Sequence, residues 1–340
     1  MLTEKLVFLT DSEIGKMPTL DVCNSGGILL TYWCNASCAN CYENCSPRKN
    51  STMPVEDAKE YMIELKKLGC SGQGFHFAGG EPFRNYRQLL KYFKTAKEVE
   101  MLPLGTIETN AFWCTNDELV EKRFLEIRDF GLNGIFISSD VFHQEFVPYD
   151  RVSRCVRIGK AILGEGKVHV RFWEFFNNPI FVTECTEEQK QDIFREQLKR
   201  GTERMCGRAV KKLAPLVSHF PPEQFANNIC ANEILKSRHI HIDPYGNVFP
   251  LTCAGLILGN AKNYKLSKIY EEFNYLEHPL LRVLIESGPV PVMKEAEKYG
   301  FEIDKNGYAD KCHLCFEVRR FLFLKCLYTD EISPNEIYTD

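Results

Sequence analysis

The sequence predicts an α/β protein, a partial barrel of βα units followed by a small α+β module. Three observations lead to this fold class. Short apolar runs alternate with longer amphipathic ones from residue 28 to about residue 213, and polar motifs follow the ends of the apolar runs. After about residue 215 the alternation gives way to a hairpin pattern and several helices. A chain of 340 residues has the length of a barrel with an appendage.

Five apolar runs are predicted strands: ILLTYW (28–33), GFHFA (74–78), GTIET (105–109), GIFIS (134–138) and VHVRFW (168–173). The segments between them, such as VEDAKEYMIELKKLG, place apolar residues at i, i+3, i+4 and i+7, as amphipathic helices do. Repeated βα units predict a parallel sheet with right-handed crossovers, and six units fit a partial (βα)6 TIM-like barrel. In such folds the active site gathers at the carboxyl ends of the strands.

The predicted division of the chain is an N-terminal segment (1–27), the barrel (28–215) and a small C-terminal α+β module (216–340). HIHID (239–243), the turn PYGN and VFPLT (248–252) predict a hairpin within the module. The module ends with CHLC and the apolar helix FEVRRFLFLKCL.

Composition limits the partners and the compartment. The formal charge is −4 with a pI near 6.1, which argues against a nucleic-acid-binding surface. The start MLTEKLVFLTDSE lacks the apolar run of a signal peptide, and no window reaches eighteen apolar residues. We therefore expect a cytoplasmic protein without a membrane or nucleic-acid partner. In a reducing compartment the fifteen cysteines indicate metal binding or redox chemistry rather than disulfides.

The segment CNASCANC follows the first predicted strand and holds Cys34, Cys38 and Cys41. One interpretation is a zinc site completed by a ligand from elsewhere in the chain. The other is an iron–sulfur cluster that is held by three thiolates and keeps one iron open for a small molecule.

CxxxCxxC after the first strand of a βα barrel resembles the radical S-adenosylmethionine (SAM) superfamily. The resemblance implies that these three cysteines hold a 4Fe–4S cluster, and that the amino and carboxylate groups of SAM chelate the open iron. AGGEPF, at the end of the second strand, is similar to the family's GGEP motif, which takes the methionine amino group. The residues that match this motif are Gly79, Gly80, Glu81 and Pro82.

Three later motifs are similar to the family's ribose, carboxylate and adenine contacts: ETNAFW (108–113), SSD (138–140) and GRA (207–209). The cofactor-binding residues that this resemblance implies are Asn110, Ser138, Asp140, Gly207 and Arg208. The residue before the third cysteine is commonly aromatic in the family, whereas here it is Asn40, with Tyr42 just after Cys41.

A second cysteine set lies in the C-terminal module. It resembles the twitch-type, single-cluster version of the SPASM extension, which implies four thiolates around a second, auxiliary 4Fe–4S cluster. The alternative is a structural zinc site with four cysteine ligands. The expected ligands are Cys230, Cys253, Cys312 and Cys315.

The resemblance implies the first reaction step, in which one electron cleaves SAM to methionine and a 5′-deoxyadenosyl radical that abstracts a substrate hydrogen atom. ETNAFWCTND and SSDVFHQEFVP resemble peptide epimerases of the epipeptide type, in which a cysteine beside an auxiliary ligand returns the hydrogen. Here Thr252 stands beside Cys253, so we expect Cys206, just before GRA, to be the catalytic hydrogen donor near the adenosyl group.

Two alternatives remain open. The first is dehydrogenation or cross-linking with the auxiliary cluster as electron acceptor, and the second is a non-catalytic iron–sulfur or zinc scaffold. The expected partners are a small peptide or small-molecule substrate and a low-potential electron donor such as ferredoxin or flavodoxin. His143, Glu145 and Glu174 follow predicted strands and are candidate substrate contacts.

Overall fold

The computed structural model describes residues 19–21, 23–101, 105–251 and 253–340. Most of the predicted N-terminal segment (1–18 and residue 22) and Thr252 lie outside the described residues. Within them, one eight-stranded sheet has the order β5-β4-β3-β2-β1-β6-β7-β8. The strands are β1 (Ser25–Leu29), β2 (Phe75–Ala78), β3 (Thr106–Thr109), β4 (Ile135–Ser138), β5 (Val168–Arg171), β6 (His239–Ile242), β7 (Asn247–Pro250) and β8 (Gly259–Asn260).

The strands β1 to β6 pair in parallel, while β7 and β8 are antiparallel additions at one edge. The central strands are apolar and covered on both faces, since all four residues of β2 and four of the five in β1 are buried. This confirms the predicted α/β fold, a mostly parallel sheet with helices in the form of a partial barrel.

Helices cover the sheet and follow the predicted βα alternation. The α-helices are α1 (Val55–Lys67), α2 (Tyr86–Glu98), α3 (Asp117–Asp129), α4 (Val141–Gln144), α5 (Tyr149–Leu163), α6 (Trp173–Asn177), α7 (Glu187–Leu198), α8 (Ala209–Lys212), α9 (Ala231–Ile234), α10 (Leu266–Glu271), α11 (Pro279–Ser287), α12 (Pro289–Glu297), α13 (Lys311–Leu324) and α14 (Asn335–Tyr338). Asn116 caps α3 by accepting a hydrogen bond from the Leu119 amide. None of the described helices is long and apolar enough to cross a membrane.

The structure corrects the prediction for the last barrel strand. Strand β5 ends at Arg171, because Phe172 adopts a left-handed conformation and α6 begins there. The sixth parallel strand is β6, from the predicted C-terminal hairpin, and it pairs with β1 so that Ser25 lies opposite His239. The hairpin therefore extends the barrel sheet at its other edge. The sheet runs across the predicted boundary at residue 215, which remains a prediction.

Candidate active site

A cavity of about 410 Å3 opens at the carboxyl ends of the strands. The loop that follows β1 forms one wall and brings the three cysteines of CNASCANC to it. Strand ends form the remaining walls. The lining residues that matter for its chemistry are Cys34, Cys38, Cys41, Tyr42, Cys45, His76, Gly79, Gly80, Glu108, Asn110, Ser138, His143, Arg171, Glu203, His239 and His241.

Gly207 and Arg208 hold the cysteine loop from the side away from the cavity. The Arg208 guanidinium donates to the carbonyls of Cys38 at 2.9 Å and Cys45 at 2.6 Å, and its amide donates to the Cys41 carbonyl. Gly207 has φ +59°, and a Cβ there would lie 2.5 Å from the Cys41 carbonyl oxygen, so only glycine fits. Neither residue is among those that line the cavity. The structure shows that the Arg208 guanidinium and amide support the loop, and a cofactor contact by Gly207 or Arg208 stays a prediction.

The GGEP turn packs its glycines against the start of the same loop. The Gly80 amide donates to the Thr31 carbonyl at 2.7 Å, and the Glu81 amide donates to the Trp33 carbonyl at 2.9 Å. A Cβ at position 80 would lie 2.0 Å from the Trp33 carbonyl oxygen. The two chain segments can approach this closely because position 80 has no side chain.

Glu81 is fully buried, and both of its carboxylate oxygens are used inside the protein. Oε1 accepts from the Phe83 amide at 3.1 Å and the Thr109 hydroxyl at 2.8 Å, and Oε2 accepts from the Asn110 amide at 2.8 Å. Burial raises the pKa of this carboxyl to about 7, although the three donors oppose the shift. Glu81 thus ties the GGEP turn to the end of β3. The adjacent Pro82 is buried and begins the helical turn Pro82–Asn85.

Asn110 and Ser138 face the cavity, as the sequence predicts for cofactor contacts. The Asn110 side-chain amide donates to the Asn35 side chain at 2.9 Å and lies 3.5 Å from the Cys34 sulfur. Asp140 lies behind this wall, fully buried, and caps α4 by accepting from the amides of Phe142 and His143.

His143 links the Asp140 carboxylate to the cysteine loop. Its Nδ1 lies 2.8 Å from Asp140 Oδ1, and its ring also hydrogen-bonds the Cys38 thiol. Burial lowers the pKa of His143, but Asp140 and Cys38 raise it more, to well above its ordinary value. Burial raises the pKa of Cys38 and the histidine opposes this, so His143 is placed to stabilise a thiolate. The sequence named His143 only as a candidate substrate contact.

Cys45 is a fourth cysteine on the cavity wall, and the sequence interpretation missed it. Its thiol hydrogen-bonds Cys41, which lowers the pKa of Cys41 and raises that of Cys45. Its position four residues after Cys41 was the signal available in the sequence.

Two other predicted substrate contacts, Glu145 and Glu174, form ion pairs instead. Glu145 pairs with Lys190 at 2.7 Å, and Glu174 pairs with Arg200 at the surface.

The C-terminal cysteines meet beside the hairpin. Cys230 precedes α9, Cys253 follows β7, and Cys312 and Cys315 lie at the start of α13. The four thiols interact with one another electrostatically, and burial raises the pKa of Cys230, Cys253 and Cys312. The structure therefore brings together the four residues that the sequence proposed as one ligand set.

A buried arginine compensates the charge of this set. Arg319 on α13 is 3% exposed and hydrogen-bonds the Cys315 thiol, the Ala254 carbonyl and the Tyr338 hydroxyl. Burial alone would lower the pKa of Arg319, but Tyr338 and the thiols raise it by more than burial lowers it, so the guanidinium keeps its charge. A buried cation beside cysteines fits a group that carries thiolate charge.

Cys206 lies with these auxiliary cysteines, contrary to the sequence expectation. It follows a loop after α7 rather than a barrel strand, and it is not among the residues that line the cavity. Its thiol interacts with Cys253, Cys312 and Arg319, and burial raises its pKa to about 12. Because Gly207 turns the chain against the cysteine loop, the preceding thiol faces the C-terminal set.

Both cysteine sets fit iron–sulfur clusters by the chemistry of their donors. Three thiols on a cavity wall suit a cluster with one open iron, and four thiols with a buried cation suit a fully ligated one. A zinc ion with four thiolates at 2.3 Å would require sulfur–sulfur distances of about 3.8 Å.

Residues 28–161 match the family model of the Radical SAM superfamily. A search of curated proteins gave no match. Among solved structures, the chain is similar to BtrN in complex with AdoMet and 2-DOIA, at 17% identity and a TM-score of 0.47 over 80% of this chain and 90% of that one. It is also similar to Streptococcus suis SuiB bound to S-adenosylmethionine, at 14% identity and a TM-score of 0.40 over 88% of this chain and 80% of that one. The third similarity is to anSMEcpe with bound AdoMet and a Cp18Cys peptide, at 14% identity and a TM-score of 0.44 over 88% and 97%. The segment 28–161, which carries the three cysteines and the GGEP turn, is thus the part of this chain that is similar to the Radical SAM superfamily.

Proposed function

We propose that this protein binds a 4Fe–4S cluster through Cys34, Cys38 and Cys41 and abstracts a hydrogen atom from a substrate held in the adjoining cavity. The observation that carries the proposal is the convergence of these three cysteines with Gly79 and Gly80 on one cavity of about 410 Å3. When bound, the cluster and SAM supply a 5′-deoxyadenosyl radical.

The described residues have separate tasks in this proposal. Asn110 and Ser138 face the cavity and bind the polar groups of SAM. Glu81 and Arg208 fix the two loops between which SAM lies, and His143 supports the thiolate of Cys38. Enclosure by strand ends shields a radical from water.

The proposed substrate is a small peptide, and the proposed reaction is epimerisation or related C–H chemistry. The support is the resemblance of ETNAFWCTND and SSDVFHQEFVP to the epipeptide-type epimerases. The cavity also carries charges that suit peptide ends, since Arg171 and Arg204 lie on its wall with Glu108 and Glu203. A low-potential protein such as ferredoxin or flavodoxin would supply the electron, in the cytoplasm.

The position of Cys206 favours a second candidate reaction. A hydrogen donor must reach the substrate radical, and Cys206 lies with the auxiliary cysteines instead of on the cavity wall. If Cys34, Cys38 and Cys41 bind the cluster, Cys45 is the remaining described thiol on that wall. If Cys45 does not act as a donor, the substrate radical would be oxidised by the auxiliary cluster, giving dehydrogenation or cross-linking.

The first experiment tests radical formation. Anaerobically reconstituted protein with dithionite and SAM should form 5′-deoxyadenosine, and the variant with Cys34, Cys38 and Cys41 changed to Ala should form none. Cys185→Ala is the matched control, because Cys185 lies in a surface loop away from both sets. Equal 5′-deoxyadenosine formation by the triple variant would refute the proposed function.

A second experiment separates the reaction classes without a known substrate. In deuterated water, a thiol on the cavity wall carries deuterium and can pass it to the 5′-deoxyadenosyl radical. If Cys45 is a donor, wild type should incorporate solvent deuterium into 5′-deoxyadenosine and Cys45→Ala should lose most of it, while Cys206→Ala should not. Loss of the deuterium in Cys206→Ala alone would restore Cys206 as the donor, and absence of deuterium in wild type would favour dehydrogenation.

A further inference from the structure

Three imidazole rings converge on the wall of the cavity. His76 lies on β2, and His239 and His241 lie on β6. The Nε2 atom of His241 is 3.3 Å from Nε2 of His76 and 3.4 Å from Nε2 of His239. One ligand atom from each ring lies within 4.8 Å of the other two. None of these histidines belongs to a cysteine set or to a SAM motif.

The register of the sheet produces this convergence. Gly27 on β1 lies opposite His76 of β2 on one side and opposite His241 of β6 on the other. A Cβ at Gly27 would lie 2.4 Å from His76 Nε2 and 2.8 Å from His241 Cδ2. The missing side chain of the central strand therefore provides the space in which the two rings meet. His239 is on the same face of β6, since it precedes His241 by two residues.

The atoms opposite the convergence point hold the rings in place. His241 Nδ1 is 3.1 Å from the Leu251 carbonyl oxygen, so it donates and leaves a lone pair on Nε2. His239 Nδ1 is 2.7 Å from the Ser25 hydroxyl, and the His76 ring hydrogen-bonds the Gly26 backbone. Histidines that bind metal are oriented in this way, with one nitrogen on an oxygen partner and the other free for the ion.

The distances fit a metal ion. Two nitrogens at 2.0–2.1 Å from a tetrahedral zinc ion lie about 3.3–3.4 Å apart. The two Nε2–Nε2 distances at His241 are 3.3 and 3.4 Å.

Direct hydrogen bonds between the rings explain the arrangement less well. The Nε2 of His241 has one lone pair in the plane of its ring, so it can accept from His76 or from His239 but not properly from both. One cation between the rings satisfies all three nitrogens.

We propose that His76, His239 and His241 bind one divalent transition-metal ion, with zinc as the ion that fits their spacing. The fourth position opens to the cavity, where Glu108 Oε1 lies 3.9 Å from His76 Nε2. An ion with three protein ligands and an open position acts as a Lewis acid toward an oxygen ligand. It would bind a carboxylate or carbonyl oxygen of the substrate, and this role, unlike the metal site itself, rests on the proposed function.

The test uses the full chain with its cysteines already occupied by reconstituted iron. The protein is given one equivalent of Zn2+, desalted, and measured for zinc and iron by mass spectrometry and at the zinc K-edge by X-ray absorption. We expect about one zinc per chain, unchanged iron and a nitrogen or oxygen shell at about 2.0–2.1 Å without sulfur at 2.3 Å. A sulfur shell, or failure to retain zinc, would overturn the inference.

Variants show which residues hold the ion. His239→Ala should weaken zinc binding at least tenfold, and Ser25→Ala should weaken it about 10–100-fold, as loss of an outer-shell partner does. His169→Ala, an exposed histidine on β5, is the control and should bind zinc as wild type does. Wild-type affinity in both His239→Ala and Ser25→Ala would contradict the assignment. Zinc bound by nitrogen in a chain that forms no 5′-deoxyadenosine would support this site while refuting the proposed function.

Discussion

Glu81→Gln tests whether the shape of the cavity depends on a buried carboxylate or whether Glu81 binds SAM directly. Glu81 accepts three hydrogen bonds, at 3.1, 2.8 and 2.8 Å. Glutamine has one acceptor oxygen, so one or two of these bonds are lost and a buried amide N–H faces another donor. The lost hydrogen bonds at about 0.5–1.5 kcal/mol each, together with about 1–3 kcal/mol for the buried N–H left without an acceptor, predict a loss of about 2–5 kcal/mol at pH 5, where burial keeps the carboxyl protonated.

The assay is thermal unfolding of the reconstituted protein together with SAM binding. For a chain of 340 residues, that loss corresponds to a fall in Tm of about 3–7 °C. SAM should still bind, more weakly, because the loops that contact it are displaced. Glu121→Gln, an exposed glutamate of α3, is the control and should leave the Tm unchanged. An unchanged Tm with SAM binding abolished would refute the structural role and restore the direct contact that the sequence predicts.

Three further predictions concern pH, the loop support and the second cysteine set. Burial raises the pKa of Glu81 to about 7 from an ordinary value of 4.5, so its contribution to stability is full below pH 4.5 and is lost as pH rises through 7. The Tm of wild type should therefore fall across this pH window relative to that of Glu81→Gln. Parallel Tm curves for the two proteins would contradict this. Arg208→Lys keeps the charge but cannot donate to the carbonyls of both Cys38 and Cys45. We therefore expect the free energy of unfolding to fall by about 1.5–3 kcal/mol and less iron to be bound after reconstitution. Full iron and an unchanged Tm would refute the supporting role of Arg208. Changing Cys312 and Cys315 to Ala should remove about half of the iron and leave SAM cleavage measurable, and loss of SAM binding in the folded variant would show that the two sites are not separable.

Local patterns in the sequence predicted much of the barrel. Four of the five apolar runs contain β2 to β5, while the first run (28–33) overlaps β1 (Ser25–Leu29) only at residues 28 and 29. The sixth strand was predicted within the C-terminal hairpin, but its place in the barrel sheet was not, because pairing between distant strands leaves no local signal. The sequence around His239 predicts a hairpin. Nothing in HIHID indicates that β6 pairs with β1, which lies more than 200 residues earlier in the chain.

The parts of the site that lie in one contiguous motif could be predicted from the sequence. The parts that the fold brings together from distant segments could not. CNASCANC and GGEP identified one wall of the cavity, and the C-terminal cysteines lie near one another, while their role as one ligand set stays a prediction. Adjacency to GRA says nothing about the direction of the Cys206 side chain, which interacts with Cys253 and Arg319, so its role as donor stays a prediction. The histidine set was missed because His76 and His241 lie 165 residues apart and meet only through the register at Gly27.

The most direct test of the central claim is electron paramagnetic resonance of the Cys312→Ala, Cys315→Ala variant, which should keep only the cluster of the cavity. Wild type should hold about eight irons per chain, and this variant about four. After reduction, the variant should show the signal of one reduced 4Fe–4S cluster, and adding SAM should shift its g-values because SAM occupies the open iron. A signal that SAM does not change, or zinc in place of iron in protein prepared without oxygen, would contradict the claim that Cys34, Cys38 and Cys41 hold a cluster with one position left for SAM.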